Sequence, residues 1–310
     1  MIRLLSLQGM AAAVEVEVEG RRLKLSNLEK VLYPATGFTK AQVIDYYTRI
    51  SPVLVPHMKG RPLTLKRYPN GVDGKFFYEK NCPAHRPDWV KTAAVYSRQN
   101  KADINFCVVE DVPSLVWAAN LASLELHTSL ARADAIMEPT MVVFDLDPGA
   151  PATIRECCAV ALKLRGALDE LRLQCFAKTS GSKGLQVYVP LNTKSTYELT
   201  KPFALAIAQH LERLEPKLVL SNMKKELRTG KVFVDWSQND DHKTTVCGYS
   251  LRARESPTVS TPVTWDEVEA HHRGELRALA FTSDEVLERV QQLGDLFVPV
   301  LQLKQKLPTL

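Results

Sequence analysis

The sequence predicts an α+β fold built from two successive regions, and three observations lead to that prediction. Met141, Val142, Val143 and Phe144 form an unbroken apolar run of the kind that crosses a sheet covered on both faces, and Asp145-Leu146-Asp147-Pro148-Gly149 ends it abruptly. From that run onward the patterns follow one another as strand, helix, strand, strand, helix, strand, which suits a compact sheet carrying helices on one face. Ahead of it, the alternating segment VEVEVEG precedes an amphipathic helix, so the chain opens with a region that has its own strands.

Composition bounds what these regions can be. A chain of 310 residues, 45% hydrophobic and 24% charged, is ordinary globular material with enough length for one large core or two moderate ones. A net charge of +5 is compatible with a polyanionic partner. The start, MIRLLSLQGMAAAVEVEVEG, is too short and interrupted for a signal peptide or a membrane span, so a cytoplasmic protein without a membrane partner is expected. Residues 1–12 read as an N-terminal arm, and residues 13–310 as one domain divided into regions 13–138 and 139–310. The six cysteines, at 82, 107, 157, 158, 175 and 247, include no C-x-x-C pair and are expected to be reduced core thiols, with no structural zinc.

In chain order, VEVEVEG is a strand, and Ser26 is positioned to cap a short helix that Pro34 closes. A second helix starts at Thr39, with Val43, Ile44 and Tyr47 on its apolar face. RPLTLKRYPNGVDGKFFYEKN then reads as a strand, a turn at Asn70-Gly71 and a short aromatic strand. In the second region the strand ending in Asp145 is followed by a helix from about Thr153 to Leu171, the strand QCFAK, the turn TSGSKG, the strand LQVYVPL, a helix from about Thr196 to Leu214, and the strand KVFVDWS.

Alternation along a strand places Asp145 and Asp147 on one face, where two like charges resist joint ionisation unless a cation lies between them. Asp235, ending KVFVD, supplies a third acid that the sheet can bring alongside, and three carboxylates suit Mg²⁺ or Mn²⁺ in a two-metal site for phosphoryl displacement. Thr179 to Gly184 joins two strands and combines glycines, hydroxyls and Lys183, a composition fit to cradle phosphate, although it is not a P-loop. Lys66, Arg67 and Lys80 stand among Tyr68, Phe76, Phe77 and Tyr78, and cations interleaved with rings serve a nucleic-acid end, since each base stacked on a ring is worth roughly 1–3 kcal/mol. The ordinary alternatives are an acid capping a Pro-Gly turn, a polar hairpin, and a basic surface over a small aromatic core.

Four stretches, LTLKRYPNG, FDLDPG, KTSGSKGLQVYVPL and VFVDWSQND, occur in an order that resembles the polymerase domain of bacterial ligase D, a branch of the archaeo-eukaryotic primase superfamily acting in non-homologous end joining. The resemblance runs from LSNLEKVLYP to YSLRARESPTVSTPVTWDEV. It implies a two-lobed primase-polymerase fold with a central, mostly antiparallel sheet flanked by helices, region 13–138 binding the DNA end and region 139–310 carrying catalysis. Asp145, Asp147 and Asp235 match the catalytic metal-binding acids. Ser180, Lys183, Gly184 and Arg252 match residues holding the triphosphate, and His127 a histidine beside the nucleotide. Asn27, Lys30 and Lys40 match a pocket for a DNA 5′-phosphate. Phe77 and Tyr78 match a ring pair on template bases, with Lys66, Arg67, Lys80 and Arg228 along the backbone; the family has Phe where Tyr78 stands. The resemblance also implies an NTP or dNTP substrate with a ribonucleotide preference, Mn²⁺ over Mg²⁺, and, for a stand-alone version of the domain, a separate DNA ligase and Ku as partners.

Two other readings compete. A haloacid-dehalogenase-like phosphatase would use Asp145 as nucleophile with Ser180, Lys183 and Asp240-Asp241, but Lys183 follows Ser180 too closely and the basic first region has no task. A non-catalytic DNA-end-binding protein would not need three acids at strand ends.

Overall fold

The computed structural model describes residues 2–8, 13–97, 100–276 and 278–308. Two six-stranded sheets carry the molecule. In the first lobe the order is Thr245–Val246, Ser123–Thr128, Leu63–Arg67, Ala102–Val108, Lys91–Ser97, with Phe77–Glu79 also paired to Leu63–Arg67, all antiparallel. In the second it is Val219–Leu220, Val232–Asp235, Met141–Pro148, Leu185–Pro190, Phe176–Thr179, Pro262–Val263, with one parallel pair at the Val219–Leu220 edge. The fold is thus α+β, two-lobed and mostly antiparallel as expected, with a six-stranded sheet in each lobe.

The central strand Met141–Pro148 shows how the sequence sets the two faces of the second sheet. Val142, Phe144 and Leu146 point into the core formed with the helices Ile154–Glu170 and Tyr197–Leu214. All three are fully buried, and such burial is worth roughly 1.5–3 kcal/mol per large side chain. The alternate residues Met141 and Val143 pack with Leu130, Ala131 and Tyr188 on the other face. Asp145 and Asp147 continue that second series, so both helices lie on the face the acids avoid. The strand runs three residues beyond Asp145, where the sequence pattern ends it, to Pro148.

Local signals fixed the helices. Thr39 and Thr153 each form a capping box, with Gln42 and Glu156 three residues on, and the helices begin at Lys40 and Ile154 as their caps require. The turn at Asn70-Gly71 also forms, returning the chain to pair Phe77–Glu79 with Leu65–Arg67.

Two expectations are corrected. No helix follows Ser26: Asn27 takes a left-handed conformation (φ 55°), Val31–Tyr33 pairs with Phe38–Thr39, and the Ser26 carbonyl accepts a hydrogen bond from Lys40 Nζ at 2.7 Å. In the N-terminal arm, Ile2–Gln8 pairs antiparallel with Ala13–Val18; residues 1 and 9–12 lie outside the described residues. The cysteines are not all reduced: Cys82 and Cys107 form a disulfide across 25 residues, whereas Cys157, Cys158, Cys175 and Cys247 are free and buried. That bond ties the residues after the aromatic strand to the neighbouring strand Ala102–Val108. No helix of the described residues is long and apolar enough to cross a membrane.

Candidate active site

The second sheet aligns the site by its pairing. Asp235 lies directly opposite Asp145 on one side, Gln186 opposite Asp145 on the other, and Lys178 opposite Gln186. Residues opposed across antiparallel strands share a face. One row therefore reads Asp235, Asp145, Gln186, Lys178, with Asp147 two residues along the central strand. Burial and the neighbouring Asp147 push the Asp145 carboxyl up to about 7, and burial with Asp235 raises Asp147 against the pull of Arg228 and Arg252. Acids held this way carry more negative charge than the surrounding side chains neutralise, which is the electrostatic demand of a cation site. Asp235 itself accepts hydrogen bonds from Ser237 N, Ser237 Oγ and Gln238 Nε2 at 2.9, 2.6 and 2.8 Å, fixing its side chain beside the pair.

Close backbone approaches explain the glycines next to the acids. A Cβ on Gly149 would lie 1.9 Å from the Arg228 carbonyl oxygen, and one on Gly184 2.1 Å from that of Leu146. The Pro-Gly step after Asp147 is therefore a packing requirement, because the loop carrying Arg228 crosses there. Arg228 lies over the Phe233 ring at 3.9 Å and reaches Asp147 electrostatically, which places it beside the acids.

The turn Ser180–Gly184 is organised from within. Ser180 Oγ accepts hydrogen bonds from the N–H groups of Ser182 and Gly184 at 3.2 and 3.1 Å, and Lys183 is left exposed. Arg252 Nη1 donates to the Ser180 carbonyl at 2.6 Å, Thr258 Oγ1 to that of Gly181 at 2.7 Å, and Arg254 to Ser182 Oγ. These partners all come from the segment that leaves the first sheet at Thr245–Val246 and enters the second at Pro262–Val263.

Glu125, which the sequence reading passed over, joins the sites of the two lobes. Only 2% exposed, it accepts from His127 Nε2 at 2.9 Å, faces Lys66 Nζ and Arg252 Nε at 3.3 Å each, and receives the Ala253 N–H at 3.2 Å. Burial alone would raise its carboxyl; the His127 hydrogen bond and the charges of Arg252 and Lys66 hold it well below the usual carboxylate range instead. Burial in turn lowers His127 and Lys66, with Glu125 opposing both. Three of the expected nucleotide and template residues are thus gathered on one buried anion.

Lys178 is the second residue missed. It is fully buried, and its Nζ donates to Gln186 Oε1 at 2.5 Å and Ser260 Oγ at 2.6 Å. Burial pulls the amine down to about 7 against the attraction of Asp145. Both residues had a signal in the sequence, a lone charge inside an apolar strand, which has to find a partner.

Asn27, Lys30 and Lys40 line one cleft of about 570 Å³, together with Arg22, Lys24 and Arg67. Lys40 is only 5% exposed, and burial followed by repulsion from Lys30 and Arg67 lowers it to about 8. The cleft therefore gathers positive charge that no acid on its wall offsets. Beside it, Phe77 and Tyr78 are 43% and 56% exposed, which is unusual for rings on a strand, and the guanidinium of Arg67 lies 5.1 Å from the Phe77 ring. Lys66 Nζ stands over Phe76 at 4.4 Å and Tyr78 at 5.4 Å, and Tyr78 meets His127 edge-on at 6.0 Å. Lys80 departs from this group and lines a separate cavity of about 640 Å³ with Tyr96, Asp240, Asp241 and His242, none of the three row acids being on its wall. Asp240, Asp241 and His242 are the group whose ligand atoms fall within 4.8 Å of one another among the described residues, but Lys201 and His242 already pair with Asp240.

Comparison with known proteins places this geometry. The family model described as LigD, primase-polymerase domain, matches residues 39–297. The multifunctional non-homologous end joining protein LigD of Mycolicibacterium smegmatis is 45% identical over 281 residues, which is 90% of this chain and 36% of that protein. The bifunctional LigD of Bacillus subtilis is 31% identical over 88% of this chain and 43% of its own length. The chain thus spans well under half of these relatives. A solved structure, the polymerase domain from Mycobacterium tuberculosis ligase D in complex with DNA, superposes with a TM-score of 0.85 at 40% identity, covering 92% of this chain and 99% of that one. The residues matched by the family model, 39–297, include the three acids, the Ser180 turn and Glu125, and on that match the chain belongs to the LigD primase-polymerase domain family.

Proposed function

We propose that this chain is a metal-dependent nucleotidyltransferase that extends primer 3′ ends on a DNA template and fills short gaps at broken ends. The observation that carries the reading is the row Asp235–Asp145 with Asp147 beside it, on the sheet face away from the helices and within electrostatic reach of Arg228 and Arg252. The donor set, three carboxylates of which two are raised by burial and mutual repulsion, fits Mg²⁺ or Mn²⁺, which when bound would polarise the α-phosphate and the attacking hydroxyl. Asp145, Asp147 and Asp235 would hold it. Arg252 and the exposed Lys183 on the Ser180–Gly184 turn would then face the charge that builds as pyrophosphate leaves, with His127 held close by through Glu125.

The cleft of Asn27, Lys30 and Lys40 suits a downstream 5′-phosphate, which would bias the enzyme towards gapped substrates. Phe77 and Tyr78 suit unpaired template bases, Tyr78 stacking in place of the family's Phe. Ribonucleotide and Mn²⁺ preference, a DNA ligase that seals the filled ends and Ku as a partner holding them belong to the same proposal and rest on the family relationship. The test is primer extension on a gapped duplex with each NTP and dNTP and either metal, beside Asp145→Ala and Asp147→Ala. Both variants are expected to lose extension and keep DNA binding; extension that survives either change sinks the assignment of the acids.

A further inference from the structure

The row across the second sheet continues beyond the acids, and its hydrogen bonds have a single consistent direction. Ser260 Oγ donates to the Thr179 carbonyl at 2.9 Å, so it can only accept from Lys178 Nζ, 2.6 Å away. Lys178 Nζ also donates to Gln186 Oε1 at 2.5 Å, and the Tyr188 hydroxyl donates to the same oxygen at 3.4 Å. A carbonyl oxygen that receives two donors is satisfied, so the amide N–H₂ of Gln186, the residue opposite Asp145 in the strand pairing, is the end turned to that carboxylate, whose ionised form it favours. Lys178 has no route to solvent, since it is fully buried beneath Tyr188 and Ser260.

We propose that Lys178 and Gln186 are positioning residues for Asp145: the buried lysine fixes which end of the Gln186 amide faces the acid, and the amide fixes the carboxylate rotamer presented to the metal. Without Lys178 the amide oxygen keeps only the long Tyr188 hydrogen bond, so the amide is free to shift and no longer holds the Asp145 carboxylate in one rotamer. Partners that orient a metal-binding side chain typically carry a roughly 10–100-fold share of metal affinity. This inference rests on the reading of the three acids as a metal site.

The test measures Mn²⁺ binding to the metal-free protein directly, from the paramagnetic resonance signal of the free ion, for Gln186→Leu, Lys178→Met, the double variant and Asp145→Ala. Each single change is expected to weaken Mn²⁺ binding by roughly 10–100-fold, with the KM for gapped DNA unchanged. The double variant is expected to bind no more weakly than Gln186→Leu, because Lys178 acts through the amide; a lysine that only supported the sheet would add its own loss. Wild-type Mn²⁺ binding by a folded Gln186→Leu protein overturns the proposal, as do additive losses in the double variant. Should Lys178→Met not fold, Gln186→Leu decides alone. If Asp145→Ala binds Mn²⁺ like the wild type, the metal reading itself has failed, and the positioning role falls with it.

Discussion

Glu125→Gln is the substitution from which the structure gives the sharpest expectation. It keeps the shape of the side chain and removes the one negative charge facing His127, Lys66 and Arg252, at 2.9, 3.3 and 3.3 Å. Glu125 is 2% exposed, so water cannot take over its role, and removing one member of a buried ionic group costs about 3–5 kcal/mol. Urea unfolding at pH 7.5 should therefore show the variant less stable by about that amount. The pH dependence has a definite sign. Glu125 is depressed in the folded state, so its contribution is complete above the ordinary glutamate value and is lost only on acidification below it. Glu125 also raises His127 against burial, so the variant's imidazole binds its proton less readily when folded. The stability gap should therefore widen as pH falls from 7.5 to 5.5. A gap below about 1 kcal/mol, the level of an exposed pair, or one that narrows over that range, refutes the cluster as described.

Further outcomes follow from other parts of the site. Gly184→Ala and Gly149→Ala place a Cβ about 2 Å from the carbonyls of Leu146 and Arg228 and should destabilise by roughly 1–3 kcal/mol with loss of extension. Gly166→Ala, in open space within the helix Ile154–Glu170, should stabilise by roughly 0.5–1 kcal/mol and leave extension intact; equal effects at all three would show the contacts to be irrelevant. Because Asp145 is raised to about 7, the folded protein holds a proton the unfolded chain has released; in chelator the wild type should lose stability relative to Asp145→Asn as pH rises from about 4 to about 7, and a flat difference contradicts this. Lys30→Ala should abolish any rate advantage of a 5′-phosphorylated gap, a loss of roughly 10–100-fold for one charge-assisted contact; in the unmutated protein, equal filling with and without the phosphate would remove the cleft's proposed role.

How far the sequence could be read depended on how local each signal was. Alternation placed Asp145 and Asp147 on one face, and capping boxes placed the helix starts at Thr39 and Thr153, because each rests on a few neighbouring residues. The pairing of Asp235 with Asp145 agreed with the strand order, which a compact sheet limits strongly. The Ser26 helix failed because the hairpin of Val31–Tyr33 with Phe38–Thr39 and the Lys40 hydrogen bond outweighed the cap signal. The Cys82–Cys107 bond joins residues whose proximity exists only after the first sheet forms. Glu125 and Lys178 looked like lone charges in apolar strands; their partners Arg252 and Ser260 lie far along the chain, in the segment that joins the sheets.

That segment also bears on how the two lobes are held to each other. Residues 245–263 are laddered to Ser123–Thr128 at one end and to Phe176–Thr179 at the other, fold back on themselves through Tyr249 and Ser260, and hold the Ser180 turn through Arg252. Arg252 faces Glu125 of the first lobe and donates to the Ser180 carbonyl of the second, so a displacement of either lobe is passed to the other through one side chain.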